Sequence, residues 1–305
     1  MLGGGTVRLP ILGRLVQGAL AVAAIAAPAW AACPQIPCDC MGAARNFVAT
    51  ATGQVRLLVA HQTNPRAYDD LCARQVYLGS VPFPAGANTR AESIVATANS
   101  GKVGATLIGA SNVFGDVVTG GGSVRQQGDV SIGGVIDTSG DDPRVATCQQ
   151  AMLDGAAASA TLGGILPTRP HLGSIRLRAE SMSLTADPGV NVWTADLIDL
   201  RAGGPPDFHP ANLAIALAPD TESVIINVGR VKLANGANIL STDAKRVVVN
   251  VPGPGSPVVL TRYASVRGFL LAPERTVRME TQQTSTVVGR EIRYRASEIL
   301  AITCP

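Results

Sequence analysis

Three aspartates, Asp116, Asp129 and Asp137, are the carboxylates whose spacing could support chemistry. Carboxylates stacked on adjacent rungs of a coiled β structure can bind calcium or serve as an acid and base pair on polysaccharides. Asp116 and Asp129 each follow a glycine at the same place in two similar segments, where an aspartate more simply caps a turn. We therefore expect structural roles for all three and predict no catalytic residue. A polysaccharide-active β-helix enzyme remains an alternative.

Other residue types that could do chemistry are scattered. The sequence has no G-x-S-x-G, H-E-x-x-H or P-loop motif, so the common hydrolase and nucleotide-binding signatures are missing. The histidines stand alone, and the first three cysteines lack the paired spacing of a zinc site, so we predict no metal and no cofactor. The histidines are His61, His171 and His209. Near the C-terminus, Arg290, Arg293 and Arg295 are predicted to form a basic strand edge that resists aggregation, in preference to an anion site.

The cysteines number six, an even count that predicts up to three disulfides in an oxidising compartment. The disulfide candidates are Cys33, Cys38, Cys40, Cys72, Cys148 and Cys304. Residues 32–75 hold four of these cysteines, and we expect the segment to be a disulfide-held cap over the open end of the first coil. At least one of its cysteines should bridge to Cys148 or Cys304.

The N-terminus predicts export. Arg8 and Arg14 precede the short apolar stretch 15–27, and Ala29-Trp30-Ala31 supplies a small-x-small cleavage site, so residues 1–31 are predicted to be a signal peptide. A lipoprotein attached at Cys33 is the less favoured alternative. No transmembrane segment is expected in the mature chain, and the C-terminal residues 302–305 show no sortase motif or apolar tail. The net charge of only +3 argues against a nucleic-acid partner.

Two similar segments indicate the architecture that would position these residues. Gly115–Gly121 (GDVVTGG) returns as Gly128–Gly134 (GDVSIGG), and each is a short β-branched run closed by paired glycines. Self-similarity of this kind is typical of a coiling solenoid. Hydrophobic residues make up 46% of the chain but aromatic residues only 4%, which suits thin coils filled by aliphatic side chains. We predict a mainly β fold, a right-handed β-helix or solenoid; a meander of hairpins is the alternative.

One α-helix is predicted to interrupt the coils at about residues 143–162. Asp141-Asp142-Pro143 carries an acidic cap and a first-turn proline, and Gly163-Gly164 ends the apolar face. The domain organisation is then a signal peptide (1–31), the cysteine-rich cap (32–75) and a solenoid domain (76–305).

The second half of the chain resembles the choice-of-anchor A domain, a bacterial surface-adhesin module, in an ordered set of short motifs. These are Asn191-Val192-Trp193 with Asp196-Leu197, Ser223–Val228 with Gly229, Gly268–Pro273 with Val277, and Gly289 before Ile292. The resemblance covers roughly residues 75–297. Val249-Asn250-Val251-Pro252 departs from it, since the family usually has an aromatic residue after the asparagine.

The resemblance implies an extracellular or cell-surface, non-enzymatic adhesin-like or structural protein whose partner is a glycan, a matrix component or a cell-surface ligand. Ice binding is the least favoured alternative. It calls for a flat ladder of repeated threonines, and the sequence offers only Thr50-Ala51-Thr52 and Thr284-Ser285-Thr286, far apart.

Overall fold

The structure is a computed structural model that describes residues 37–58, 66–79, 88–203, 209–280, 283–295, 298–300 and 302. The predicted signal peptide (1–31), Cys33, His61 and Cys304 lie outside these residues. Within the described residues, no helix has both the length and the apolar character needed to span a membrane.

The described chain forms two α-helices, two 3₁₀ turns and a long series of strands. The helices are α1 (Pro37–Cys40) and α2 (Pro143–Gly163), and the 3₁₀ turns are Gly42–Asn46 and Ala244–Arg246. The strands before α2 are β1 (Ala49–Leu58), β2 (Arg66–Ala67), β3 (Leu71–Gly79), β4 (Thr89–Ala91), β5 (Ile94–Ala96), β6 (Val103–Ile108), β7 (Ser111–Val113), β8 (Val117–Thr119), β9 (Ser123–Gln127), β10 (Val130–Ile132) and β11 (Ile136–Asp137). Those after α2 are β12 (Ser174–Arg178), β13 (Met182–Ala186), β14 (Gly189–Ala195), β15 (Leu197–Arg201), β16 (Asn212–Leu217), β17 (Thr221–Val228), β18 (Val231–Ala234), β19 (Asn238–Ser241), β20 (Val247–Asn250), β21 (Val258–Leu260), β22 (Ser265–Val266), β23 (Phe269–Met279), β24 (Gln283–Thr284), β25 (Val287–Arg295) and β26 (Glu298–Leu300).

Parallel pairing of these strands builds a solenoid with three faces. The first face, which α2 covers, contains β14, β17 and β20, the N-terminal parts of β23, β25, β1 and β3, and then β5, β8 and β11. The second contains β12, β15, β18 and β21, the C-terminal parts of the same four long strands, and then β6 and β9. The third face is made by two smaller sheets, β10-β7-β4-β2-β26-β24 and β13-β16-β19-β22. The predicted parallel solenoid is therefore confirmed.

The two halves of the chain meet in the middle of the solenoid. Strand β1 lies between β3 and β25, so Val55 has Val76 on one side and Ile292 on the other. The coils before α2 run outward from this seam to β11, and those after α2 begin at the other end with β12 and return. The expectation that residues 32–75 cap an open end is therefore wrong, because β1 and part of β3 are central rungs.

Helix α2 is the return segment between the two ends. At 1.5 Å per residue, its 21 residues span about 31 Å. It begins where predicted, since the carboxylate of Asp142 accepts a hydrogen bond from the backbone N–H of Arg144 at 2.8 Å. Val145, Cys148 and Leu162 are buried on the side that faces the sheet. Helix α2 shields one face of the solenoid from solvent, and no α-helix of the described residues covers the other two.

The core is aliphatic, as the composition predicts. One cluster of buried Val, Ile, Leu and Ala fills the inside of the rungs, and a second lies between α2 and the sheet. Tyr294 and Phe269 are the largest fully buried side chains.

The two similar segments do not stack on one another. Val117 in β8 is beside Ile94 and Ile136 on the helix-covered face, whereas Val130 in β10 is beside Ser111 on the third face. Their similarity reflects two strand-and-bend units within one coil, and a full coil takes roughly 20 residues, within the range of known repeats.

Candidate functional site

The third face carries a patch of small, uncharged side chains, which we name the uncharged face. It consists of the outward residues of β13, β16 and β19: Ser183, Thr185, Ala214, Ala216 and Leu240. Strand register places Ser183 beside Ala214 and Ala214 beside Leu240, while Thr185 lies beside Ala216. The patch ends at β19, because the exposed Arg267 follows β22 next to Leu240. Ser183, Thr185 and Ala216 are exposed, and the other two are half-buried.

Alternation along each strand explains which side chains lie on this face. Leu184, Leu213 and Ile215 point inward and are buried in the core, so their neighbours must point outward. At the edge of the patch, Asn238 Nδ2 donates to Asn212 Oδ1 at 3.2 Å, and Ser265 Oγ donates to Asn238 Oδ1 at 2.6 Å. This hydrogen-bonded row fixes the register of three consecutive strands.

Threonines are not stacked on threonines in the described registers. Thr106 faces Tyr77 and Arg125, Thr185 faces Ala216, and Thr276 faces Glu291. The uncharged face is thus a mixed surface of hydroxyl and methyl groups and not a threonine ladder.

The three candidate aspartates do not form one acidic cluster. Asp116 Oδ1 accepts from the backbone N–H of Val135 at 2.9 Å, and Asp137 Oδ1 accepts from Ser139 N–H at 2.8 Å. Asp129 precedes β10, which belongs to the third face, whereas Asp116 precedes β8 on the helix-covered face. The Asp116 carboxylate therefore binds the backbone of a neighbouring rung, and the Asp137 carboxylate stabilises a turn.

Asp116 has a second role at the start of α2. Arg144 Nη1 donates to Asp116 Oδ2 at 2.7 Å, and Arg144 Nη2 donates to Asp142 Oδ2 at 2.7 Å. The hydrogen bonds from Val135 and then from Arg144 lower the pKa of Asp116, and the one from Arg144 also lowers the pKa of Asp142. Both stay ionised at neutral pH and tie the helix start to the end rungs.

The predicted basic strand edge is wrong, because β25 is an inner strand. It lies between β1 and β23, with Arg293 beside Arg56 on one side and Arg278 on the other. Arg295 belongs to the same open second face, whereas Arg290 lies at the corner where the strand turns. Protection of an edge cannot explain these arginines.

The cysteines lie on the helix-covered side. Cys72 and Cys148 form a disulfide with a Cα–Cα distance of 5.5 Å that joins β3 to α2 across 76 residues. This confirms the predicted bridge from residues 32–75 to Cys148. Cys38 is disulfide-bonded, and Cys40 is buried.

The described histidines do not form a metal centre. His171 Nδ1 is 2.9 Å from Thr194 Oγ1, and its Nε2 is 3.4 Å from Asp196 Oδ1. Among the residues that the structure describes, no group of three or more His, Cys, Asp and Glu side chains is placed to hold a metal ion.

Asn191, in the Asn191-Val192-Trp193 motif, is part of a hydrogen-bonded corner of the fold. Arg169 Nε and Nη2 donate to Asn191 Oδ1 at 2.8 and 2.6 Å, and the same guanidinium lies 5.5 Å from the Trp193 ring. Asn191 Nδ2 in turn donates to the carbonyl of Asp187 at 2.8 Å. These motif residues therefore shape a corner beside β14.

A family model described as "Putative Ice-binding-like adhesive domain" matches residues 73–299. No curated protein sequence matches the chain. The resemblance to an adhesin-like family is thereby confirmed, but choice-of-anchor A is not the family that matches.

Several solved structures share a related shape at low identity. An ice-binding protein from the Antarctic ascomycete Antarctomyces psychrotrophicus has 13% identity and a TM-score of 0.49, with 87% of this chain and 98% of that chain covered. A glycosylated ice-binding protein from an Arctic yeast has 14% identity and a TM-score of 0.49, with 87% and 94% covered. An ice-binding protein domain from Shewanella frigidimarina has 11% identity and a TM-score of 0.42, with 84% and 97% covered. Likeness at this level carries no conclusion about function.

The order of functions expected from the sequence requires correction. From the sequence alone, ice binding is the least favoured function, after an adhesin-like or structural role and an enzyme, because the sequence shows no regularly repeated threonines. The family match places ice-binding-like character first, so that order is wrong.

Proposed function

This chain belongs to the family described as "Putative Ice-binding-like adhesive domain", and on that premise we propose that it binds ice through the uncharged face. The observation that carries the proposal is the in-register pair of rows, Ser183-Ala214-Leu240 and Thr185-Ala216. Neighbouring strands repeat these side chains at about 4.8 Å. The rows give a set of uncharged side chains with a regular spacing.

Chemistry favours this face over the second one. Ice offers hydrogen-bonding sites but no charge, so a charged side chain at the contact would lose hydration without gaining an ion partner. Short side chains such as Ser, Thr and Ala also lose little rotamer freedom on contact. The second face carries several arginines, among them Arg56, Arg293 and Arg278, and is the poorer candidate for ice.

Export is part of the same proposal. The Cys72–Cys148 disulfide is of the kind that forms in oxidising compartments, which supports the predicted signal peptide and an extracellular or cell-surface location. We also infer that the coil is right-handed, since parallel crossover connections are right-handed in nearly all cases. The proposed partner is the surface of ice crystals outside the cell.

Partition of the purified protein into slowly grown ice tests the proposal. Ala214→Arg introduces a charged, bulky side chain at the centre of the uncharged face, and Val259→Arg introduces the same side chain on the second face as a matched control. We expect the unaltered protein and the Val259→Arg variant to be enriched in the ice fraction and Ala214→Arg to remain in the liquid. Exclusion of the unaltered protein from ice, or equal behaviour of both variants, would overturn the proposal, provided that circular dichroism shows all three to be folded.

A further inference from the structure

The second, open face of the solenoid carries a row of basic side chains, which we name the basic face. Register aligns its outward residues across adjacent strands in the order Arg125, Thr106, Tyr77, Arg56, Arg293, Arg278, Val259, Lys232, Asp199 and Arg176. Two residues further along the strands, Arg295, Arg201 and Arg178 add to the same surface. Glu280 adds one carboxylate, in a small depression that Arg278, Arg293 and Arg295 also line. This concentration of charge contrasts with the chain's low net charge of +3.

Three arginines lie directly side by side at the centre of the basic face. Arg56 is beside Arg293, and Arg293 is beside Arg278, on strands about 4.8 Å apart. Like charges directly opposite one another destabilise a sheet. Because these strands are internal, edge protection cannot account for this cost, and a role in binding can.

The carboxylates on this face neutralise only part of the charge. Glu291 accepts from Arg293 Nε at 2.8 Å and from Nη2 at 3.1 Å, and these bonds lower the pKa of Glu291. Among the described residues, neither Arg56 nor Arg278 forms an ion pair. Arg278 is exposed, so its guanidinium is open to an outside anion.

Asp199, near the Arg176 end of the row, forms ion pairs with two arginines. Arg178 Nη2 is 2.8 Å from Asp199 Oδ2, and Arg201 Nε is 3.4 Å from Asp199 Oδ1. Burial alone would raise the pKa of Asp199, but the two arginines together lower it. One carboxylate thus holds two guanidinium groups in place, and their surplus charge remains.

Arg56 is prepared for an anion by its surroundings. Its guanidinium carbon lies 5.2 Å from the centre of the Tyr77 ring, which orients the side chain along the face. The buried Nε of Arg56 has no hydrogen-bond partner within the described residues. Because this nitrogen has no exposed surface, an anion from solvent would contact the rest of the half-buried guanidinium group.

The basic face also continues into a cleft at its edge. The cleft has a volume of about 870 Å³, and Gln54, Gln75 and Glu291 form its boundary with the face. Three exposed basic residues, Arg74, Lys102 and Arg290, line its other side.

We propose that the basic face binds an unbranched acidic polysaccharide whose carboxylates pair with the row Arg56, Arg293 and Arg278. Guanidinium groups bind carboxylates in a bidentate manner. The strand spacing is comparable to the length of one sugar unit in an extended chain, so successive sugars can meet successive rungs.

Nucleic acid fits this surface less well. Single strands are bound by aromatic platforms on which bases stack, and the aromatic side chain in the aligned row, Tyr77, already faces Arg56. Duplex binding relies on a strongly basic domain that neutralises many phosphates, and the net charge of this chain is low. This site lies on a different face from the proposed ice-binding patch, so either can fail without the other.

Affinity measurements with polygalacturonate, neutral dextran and single-stranded DNA test the proposal on the purified full chain. Arg278→Gln removes one charge from the row, and Arg267→Gln removes the same charge from an exposed position next to β22 on the third face. We expect polygalacturonate to bind in a salt-dependent manner and dextran not to bind. Arg278→Gln should weaken binding about tenfold, as expected for one lost charge-assisted hydrogen-bond pair, while Arg267→Gln should bind as the unaltered protein does.

Three results would overturn the proposal. These are no binding of polygalacturonate at low salt, equal weakening by both variants, and tighter binding of DNA than of polygalacturonate. The melting temperature of each variant shows whether a loss of binding is a loss of folding.

Discussion

Asn250 and Asn227 lie on neighbouring strands, and Asn250 Nδ2 donates a hydrogen bond to Asn227 Oδ1 at 2.8 Å. The pair continues into helix α2. Asn227 Nδ2 donates to the carbonyl of Leu162 at 2.8 Å, Asn250 Nδ2 donates to the carbonyl of Ser159 at 2.9 Å, and Ser159 Oγ donates to Asn250 Oδ1 at 2.6 Å. A buried polar network of this kind sets the position of the helix end along the sheet.

Replacement of Asn250 by alanine should therefore destabilise the fold. The change removes the hydrogen-bond partner of the buried Asn227 Oδ1 and of the buried Ser159 hydroxyl. We expect this to lower the free energy of unfolding by about 2–4 kcal/mol. Asn212→Ala, which removes a half-buried asparagine from the row on the third face, is the matched control and should cost about 1 kcal/mol or less. Urea unfolding measures both, and equal losses would contradict this role for the network.

Local signals in the sequence are sufficient to predict the bounds of helix α2 and the β-rich character of the chain. Asp142 and Pro143 mark the helix start, and Gly163-Gly164 marks its end, because caps and glycines act through nearby backbone groups. The Val-rich runs at 224–228 and 247–250 form strands, in keeping with the strand preference of β-branched residues. Strand β9 was not predicted, since its residues are largely polar and exposed.

The order of the rungs could not be read from the same signals. The pairing of β1 with β25 joins the two ends of the chain, and it depends on packing between segments that are distant in sequence. For that reason the sequence alone predicts a terminal cap at residues 32–75 and an edge position for β25, and both predictions are wrong. The sequence predicts a strand that carries Arg293 and Arg295, but only the register shows that Arg56 and Arg278 flank Arg293.

Arg275 provides a second test of how the coils are held together. This buried side chain donates from Nε to the carbonyl of Gly253 at 2.8 Å, from Nη1 to that of Gly229 at 2.6 Å and from Nη2 to that of Pro252 at 3.0 Å. Burial lowers the pKa of Arg275, and the three carbonyls compensate the desolvated charge.

Arg275→Met should cost about 2–4 kcal/mol in the free energy of unfolding, because the carbonyls lose a charged donor. Arg278→Gln, on the same strand but exposed, should change it by less than about 0.5 kcal/mol. Chemical denaturation of both variants checks the prediction. A Met variant as stable as the unaltered protein would show that water replaces the guanidinium without loss.

The Cys72–Cys148 disulfide should contribute substantially to stability. The bridge closes a loop of 76 residues, for which the chain-entropy model gives roughly 4.5 kcal/mol. We expect the double variant Cys72→Ala/Cys148→Ala to unfold at lower urea concentration by a corresponding amount. Peptide mapping of the unreduced protein should recover residues 72 and 148 in one linked fragment, and a different partner for Cys72 would contradict the structure.

Acid should loosen the start of helix α2. The folded-state pKa values of Asp116 and Asp142 are lowered, so their contribution to stability is complete above about pH 4 and is lost as the pH falls through the folded-state values. Arg144→Gln removes the shared partner of both carboxylates. The variant should therefore lose less stability on acidification than the unaltered protein, and parallel pH profiles of the unfolding free energy would refute this.

Gly155 tests how closely α2 approaches the sheet. A Cβ at this position would lie 2.8 Å from Val288 Cγ1 and 3.1 Å from Val288 Cγ2. Val288 is fully buried and β-branched, so it has little freedom to move aside. Alanine would favour the helix by about 1 kcal/mol through propensity, but we expect the clash to outweigh this gain and to give a net loss of about 1–3 kcal/mol.

Gly164→Ala is the control, because its nearest contacts at 3.5 and 3.6 Å are ordinary. The Val288→Ala change should cost less in the Gly155→Ala background than alone, and simple additivity of the two in thermal unfolding would show that the helix does not press on Val288.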